Sequence, residues 1–131
     1  MYYNFNPKLP HPFNKIHPYH LPFAQKNAEN NFSDAIDFII LFGGSLSLTC
    51  DKYSDIDLYV ITKSNDMYAV YKEVKDFCVK LNKPFDIIIS TADDYLNNYT
   101  ELGTVEHDIE DRGVCIYAKN KEIYSVGYSK S

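Results

Sequence analysis

The sequence is poor in cysteine, and the three cysteines it has follow no known spacing. Cys50, Cys78 and Cys115 are odd in number, far apart, and never arranged as Cys-x-x-Cys. This pattern excludes a dense disulfide framework and is typical of reduced, mostly buried thiols in a cytoplasmic protein. A catalytic cysteine needs a nearby base, and the sequence indicates none.

Positive charge and long apolar segments are also scarce. Lys and Arg total 13 against 18 Asp and Glu, and no basic block appears. A long phosphate backbone is therefore not an expected partner, although a nucleotide can still bind an acidic protein through a metal cation. The longest apolar run is far short of the roughly 20 residues that cross a membrane, and the N-terminus lacks a signal-peptide pattern. We expect a cytoplasmic protein that binds neither a membrane nor long nucleic acid.

Prolines are concentrated at the N-terminus. Five of the six lie within residues 1–22, together with three of the four histidines and several aromatic residues. This density forbids a regular helix, and the aromatic content argues against a fully solvated tail. We predict an extended arm over residues 1–22 that packs on its own domain or on a neighbour, followed by one domain over residues 23–131. A metal site formed by His11, His17 and His20 is a weaker alternative, because their spacing fits neither a helix nor a strand.

The most informative stretch spans residues 38–60. An apolar run over residues 38–42 ends in Gly43-Gly44-Ser45, and Asp55-x-Asp57 opens a second apolar run. Short apolar runs bounded by turn residues are typical of buried strands. Side chains alternate along a strand, so Asp55 and Asp57 are expected on one face, with Cα atoms roughly 6.5 to 7 Å apart.

This pattern favours nucleotide chemistry. Two neighbouring carboxylates repel each other unless a cation lies between them, and Mg²⁺ suits such a pair when substrate phosphates complete its coordination. The Gly-Gly-Ser turn offers backbone N–H groups and a hydroxyl to a phosphate. An acid within an apolar strand is also costly without a partner, which applies to Asp57 and to Asp86 between Phe85 and Ile87.

The remaining pattern predicts strands interleaved with helices, an α+β fold with a small mixed β-sheet and helices packed on it. Apolar residues recur at helical spacing from Met67 to Leu81, and Gly103 ends a later helix. Helices are predicted over residues 23–31, 45–51 and 105–111, together with one that is capped by Ser64 or Asn65 and reaches Leu81 and one that is capped by Thr91 and reaches about Glu101. The predicted strands cover residues 37–42, 55–62, 85–90, 114–118 and 122–126. The acids Glu106, Asp108 and Glu110 are expected on a solvated helix face.

Gly44-Ser45, nine intervening residues and Asp55-Ile56-Asp57-Leu58 resemble the signature of the DNA polymerase β-like nucleotidyltransferase superfamily, in particular its minimal nucleotidyltransferase branch. The later segments 84–90 and 106–117 resemble the family's third-acid strand and closing pattern. The resemblance implies the polymerase β-type fold and two Mg²⁺ ions. It also implies that Asp55, Asp57 and Asp86 are catalytic metal ligands, that Gly44 and Ser45 bind the phosphates of ATP or another nucleoside triphosphate, and that AMP is transferred to a hydroxyl.

The resemblance also indicates a partner. Minimal nucleotidyltransferases include the antitoxin half of HEPN–nucleotidyltransferase pairs, which transfers AMP to a tyrosine of a helical ribonuclease, and a chain ending soon after its core sheet needs its acceptor presented by another chain. Two alternatives stay open. One is a catalytically weak binding module, because Leu46, Leu48 and a short spacer alter the phosphate loop. The other is a homodimeric enzyme that modifies a small, antibiotic-like molecule.

Overall fold

The computed structural model of the protein describes residues 16–46 and 54–119. Helices and strands alternate along these ranges, with a short 3-10 helix, Gly43–Leu46, after the first strand. The elements in chain order are α1 (Leu21–Glu29), β1 (Ile36–Phe42), β2 (Ile56–Thr62), α2 (Met67–Lys80), β3 (Phe85–Ser90), α3 (Ala92–Asn98), α4 (Val105–Arg112) and β4 (Val114–Ala118).

The four strands form one mixed sheet in the order β3-β2-β1-β4. Strand β1 runs antiparallel to β2 and to β4, whereas β2 and β3 are parallel. A parallel pair cannot be joined by a hairpin, and here α2 makes the connection. The mixed α+β sheet predicted from the sequence is confirmed.

Helices α1 and α2 cover one face of the sheet. Alternate residues of β2 point to this face, namely Ile56, Leu58 and Val60, and they pack in one apolar cluster with the buried residues of α2. The stripe predicted for α2 is confirmed in its centre, where Val70, Val74, Phe77 and Cys78 are buried. The side chain of Asp66 begins this helix by accepting a hydrogen bond from the Ala69 N–H at 3.0 Å.

Helices α3 and α4 cover the opposite face. Their buried residues, Tyr95 and Ile109, pack with Tyr59 and Ile61 of β2 in a second apolar cluster. Each helix has a threonine as its N-cap, whose hydroxyl accepts a hydrogen bond from the backbone N–H of the third helical residue. Thr91 accepts one from Asp94 at 3.2 Å, and Thr104 accepts one from His107 at 3.1 Å. The sheet therefore has an apolar core on each side.

The predicted N-terminal arm needs a correction at its end. Ile16 is 4% exposed and His20 is fully buried, and α1 already begins at Leu21, with Pro22 in its first turn. Proline is tolerated there because the first N–H groups of a helix have no intrahelical acceptor. Residues 16–22 thus belong to the folded domain, and the arm over residues 1–15 lies outside the described residues.

The other predicted bounds agree to within a few residues. Helix α3 ends earlier than expected, because Asn98 is its last residue and the chain turns at Tyr99. The helix predicted over residues 45–51 corresponds to the 3-10 helix as far as Leu46. Its remainder and the strand predicted over residues 122–126 lie outside the described residues. No helix in the described ranges is long and apolar enough to cross a membrane.

Candidate active site

Two of the predicted site acids face each other across the parallel strands. Asp57 of β2 and Asp86 of β3 are partners in the ladder, so their Cα atoms are separated by about one strand spacing, ~4.8 Å. Both side chains leave the sheet on the α3/α4 face, because their neighbours Leu58 and Ile87 pack on the α1/α2 face. Asp86 is exposed and Asp57 is half-buried. The site therefore opens to solvent at the start of both strands.

The third predicted acid, Asp55, lies just before β2 and is exposed. Burial raises the pKa of the Asp57 carboxyl, and the negative charges of Asp86 and Asp55 raise it further. Hydrogen bonds from the backbone N–H groups of Gly44 and Ser45 act in the opposite direction. Both other acids are thus close enough to act on Asp57 electrostatically.

The glycine turn lies directly against Asp57. Gly43 has a φ of +63°, a conformation that glycine adopts without strain. A Cβ at Gly43 would come within 3.0 Å of Oδ2 of Asp57, and one at Gly44 within 3.5 Å. The turn is therefore shaped around the Asp57 carboxylate.

Ser45 binds the main chain on both sides of this turn. Its hydroxyl donates a hydrogen bond to the Phe42 carbonyl oxygen at 2.7 Å and accepts one from the Asp57 N–H at 2.8 Å. The side chain is fully buried. Leu46, the next residue, is half-buried and packs against the α1/α2 core. The apolar residue that departs from the family pattern thus has a structural role here.

The described residues offer an acid pair to a cation. Among residues 16–46 and 54–119, no group of three or more His, Cys, Asp or Glu side chains is arranged to hold a metal ion. Asp57 and Asp86 nevertheless supply carboxylate oxygens on one open face, and Asp55 adds negative charge beside them. Magnesium is commonly bound by one or two carboxylates, with water and substrate phosphates completing its shell. The donor set therefore fits Mg²⁺ delivered with a nucleotide.

Two tyrosine–glutamate pairs support this side of the sheet. Tyr59, two residues beyond Asp57 on the same face, donates a hydrogen bond from its hydroxyl to Oε2 of Glu106 at 2.7 Å, and Tyr95 donates one to Glu110. Burial raises the pKa of both phenols, so they remain protonated donors. The prediction of a solvated helix face misses these contacts, because Glu106 and Glu110 are half-buried and accept hydrogen bonds from the phenols. No local signal links residues so far apart in the chain.

Three other polar residues, His20, His107 and Arg112, lie away from the acid pair. Nδ1 of the buried His20 is 3.2 Å from Nζ of Lys83, an ammonium group that disfavours a metal ion at this histidine. Arg112 pairs with Asp108 on the exposed side of α4. His107 lines a surface depression of about 460 Å³ with Tyr99, Thr100, Glu110 and Asp111, and none of the predicted site residues lines it.

The two cysteines that the structure describes are buried and do not take part in the candidate site. Cys78 and Cys115 are buried, as the sequence predicts. Burial raises the pKa of the Cys78 thiol to about 12, so it is neither a thiolate nor a nucleophile at neutral pH. Cys50 lies outside the described residues.

Comparison with known proteins shows which family the sequence matches. The sequence model of a family described as "Polymerase beta, Nucleotidyltransferase" matches residues 25–122, which is most of the chain and includes all the predicted site residues. No match was found among curated protein sequences.

Three solved structures match this chain at low identity. A crystal structure of the toxin–antitoxin MntA-HepT has 17% identity and a TM-score of 0.41, over 74% of this chain and 68% of that chain. A mutant of this toxin–antitoxin has 16% identity and a TM-score of 0.46, over 74% and 72%. A toxin–antitoxin crystallised with AMP-PNP has 18% identity and a TM-score of 0.46, over 90% and 82%.

Proposed function

The chain belongs to the polymerase beta nucleotidyltransferase family, and on that premise we propose that it transfers AMP from ATP to a hydroxyl group of an acceptor, with Mg²⁺ as the cofactor. The observation that carries the proposal is the placement of Asp57 opposite Asp86, beside a glycine turn that bends around Asp57. Family membership supports nucleotidyl transfer in general. The choice of ATP as the nucleotide, of Mg²⁺ as the cofactor and of a hydroxyl as the acceptor is our proposal.

In the proposed reaction, the acceptor hydroxyl attacks the α-phosphorus of ATP in line with the leaving group. A bond forms between the acceptor oxygen and phosphorus, and the bond from phosphorus to the oxygen bridging to the β-phosphate breaks. Pyrophosphate leaves with the bonding electron pair, and the hydroxyl proton passes to Asp86 or to water. Bound Mg²⁺ would neutralise phosphate charge and lower the pKa of the acceptor hydroxyl.

Each residue of the site has a proposed role. Asp55, Asp57 and Asp86 hold the cation, and Asp86, exposed on the edge strand, also helps to deprotonate the acceptor. Gly44 and Ser45 lie at the proposed phosphate position, which no side chain of Gly43 or Gly44 obstructs.

For the acceptor, we propose a tyrosine hydroxyl of a HEPN-type partner protein, as the sequence resemblance implies. Asp86 is exposed on the edge strand β3, which leaves room beside the acid pair for a second molecule to present the acceptor. A homo-oligomer in which one copy presents the acceptor to another is the alternative assembly.

Thermal unfolding tests the site without knowledge of the acceptor. ATP with Mg²⁺ should raise the melting temperature through ligand linkage, and ATP with a chelator should not. The double variant Asp55→Asn/Asp57→Asn should lose this response while remaining folded. Equal ATP–Mg²⁺ shifts in the wild type and the double variant would contradict the proposed metal site.

Mass spectrometry tests the transfer itself. The protein is incubated with ATP, Mg²⁺ and a HEPN-type protein encoded beside it, and a mass gain of one AMP on that partner supports the proposal. A stable complex with no mass gain supports the binding module instead. The fully engaged hydroxyl of Ser45 is the observation that favours this second candidate, because it withdraws one expected phosphate donor.

A further inference from the structure

Ser45 connects the two strands that border the candidate site. Its hydroxyl links the carbonyl of Phe42, the last residue of β1, to the N–H of Asp57 near the start of β2. Phe42 and Asp57 are also partners in the antiparallel ladder between these strands. The hydroxyl therefore fixes the backbone of the residue that bears the central carboxylate.

The hydrogen-bonding capacity of this hydroxyl is already used for that contact. A serine hydroxyl has one hydrogen to donate, and Ser45 donates it to the Phe42 carbonyl oxygen at 2.7 Å. A phosphate oxygen accepts hydrogen bonds, so it can bind this hydroxyl only if the bond to Phe42 breaks. The side chain is also fully buried, which keeps it from a ligand on the surface.

The carboxylate of Asp57 is held by the same turn. It accepts hydrogen bonds from the backbone N–H groups of Gly44 and Ser45, and its Oδ2 lies 3.0 Å from the place that a Cβ of Gly43 would take. Ser45 thus contacts both the main chain and the side chain of Asp57. A shift of Ser45 would move the carboxylate relative to Asp86, its partner across the strands.

We propose that Ser45 is a positioning residue for Asp57 and that its hydroxyl does not contact the nucleotide phosphates. This inference rests on the proposed function and replaces the phosphate-binding role predicted for the Ser45 side chain.

Three variants test the proposal. Ser45→Ala removes the bridging hydroxyl, and Ser45→Thr retains one. Ser90→Ala is the matched control, because it removes another buried hydroxyl on the neighbouring strand, where Ser90 hydrogen-bonds with Tyr59 away from the turn. The readouts are amide hydrogen exchange at Asp57, Mn²⁺ affinity in the presence of AMP-PNP, and steady-state pyrophosphate release from ATP with the HEPN-type partner as acceptor.

A positioning role predicts a specific pattern. In Ser45→Ala, exchange at the Asp57 amide should accelerate by roughly fivefold or more, because the N–H loses its acceptor. Mn²⁺ affinity and kcat should fall, kcat by roughly 10- to 100-fold, because a displaced ligand misplaces the reacting groups. In the same variant the KM for ATP should change by less than about threefold. Ser45→Thr should restore kcat, and Ser90→Ala should leave the exchange rate, Mn²⁺ affinity, kcat and KM near those of the wild type.

A raised KM for ATP with unchanged kcat in Ser45→Ala would overturn the proposal and return the side chain to phosphate binding. Unchanged exchange at Asp57 in this variant would also overturn it. If the wild type neither binds ATP–Mg²⁺ nor releases pyrophosphate, the proposed function fails. The exchange measurement still decides the positioning role in that case, because it needs no nucleotide.

Discussion

The surroundings of Asp57 disfavour the charged form of its carboxyl group. Burial and two neighbouring carboxylates raise its folded-state pKa above the ordinary value of 3.8. At pH values between 3.8 and the raised folded-state pKa, the folded protein binds more protons than the unfolded chain. The free energy of unfolding therefore falls as the pH rises through the folded-state pKa. At neutral pH Asp57 therefore lowers the free energy of unfolding.

Asp57→Asn should consequently be more stable than the wild type at pH 7, and its advantage should shrink as the pH falls towards 3.8. Asparagine keeps one oxygen that can accept the N–H groups of the turn. Chemical denaturation at several pH values measures the difference. The matched control is Asp76→Asn, which removes an exposed acid paired with Lys72 and should show no such gain. A variant less stable than the wild type at pH 7 would show that the repulsion is already relieved.

Gly43 combines a positive φ with contact to Asp57. Gly43→Ala should lower the free energy of unfolding by roughly 1–2 kcal/mol, because the left-handed conformation strains an L-residue. It should also weaken the response to ATP–Mg²⁺, because the new Cβ would lie 3.0 Å from Oδ2 of Asp57. Thermal unfolding with and without ATP–Mg²⁺ measures both effects.

Gly103 offers a matched control for this substitution. It also has a positive φ, +92°, but a Cβ there would meet no atom within 4 Å. Gly103→Ala should therefore lose stability and keep the ATP–Mg²⁺ response. If both variants respond to the nucleotide alike, contact with Asp57 is not what makes Gly43 necessary.

At the scale of elements, the buried phenols of Tyr59 and Tyr95 connect β2 and α3 to α4 by hydrogen bonds. Tyr95→Phe keeps the fully buried ring and removes the hydroxyl that donates to Glu110. Because hydrogen bonds to charged groups are stronger than neutral ones, the free energy of unfolding should fall by roughly 1.5–3 kcal/mol. Urea denaturation measures the loss.

Tyr99→Phe is the control for this change. The Tyr99 ring stacks on that of Tyr95, with centroids 5.7 Å apart, so the substitution keeps the same aromatic contact. Tyr99 is only half-buried, and its loss of a hydroxyl should cost much less. Equal losses in the two variants would mean that the bond between Tyr95 and Glu110 contributes little.

Elements whose pattern is local could be predicted from the sequence. The strand from Phe85 to Ser90 and the strand from Val114 to Ala118 match the predicted bounds, and the apolar stripe of α2 identified its buried face. Capping was less certain, because Ser64 or Asn65 was expected to begin α2 and Asp66 does so instead. Several polar residues before a helix compete for that position, and the tertiary structure selects one.

The candidate site was predictable only in part. An acid between Phe85 and Ile87 was expected to need a partner, but Asp86 is exposed, and the parallel pairing with β2 places it beside the like-charged Asp57. The internal use of the Ser45 hydroxyl and the Tyr59–Glu106 bond had no sequence signal, because both depend on how distant segments pack. Side-chain type indicates what a residue can bind, but the packing of the fold decides what it does bind.

At the scale of the whole molecule, two truncations separate the predicted arm from the folded domain. Deleting residues 1–22 removes the buried Ile16 and His20 and the first two residues of α1. Loss of the Ile16 side chain alone should cost roughly 1.5–3 kcal/mol. Thermal unfolding should therefore show a large decrease for this variant.

Deleting residues 1–15 leaves every described contact in place and tests the arm itself. We expect its melting temperature to stay near that of the full chain while assembly with itself or with a partner is lost, as light scattering with and without the partner would show. Identical assembly in the full and shortened chains would remove the arm from the functional account.

The parallel pairing of β2 and β3 also has a kinetic consequence. Asp57 and Asp86 become neighbours only after the chain has crossed the sheet through α2, and such non-local pairing closes slowly during folding. We therefore expect the acid pair to form late in folding, with its side chains in place only in the finished protein. We expect ATP–Mg²⁺ to slow unfolding of the finished protein while leaving its folding rate nearly unchanged.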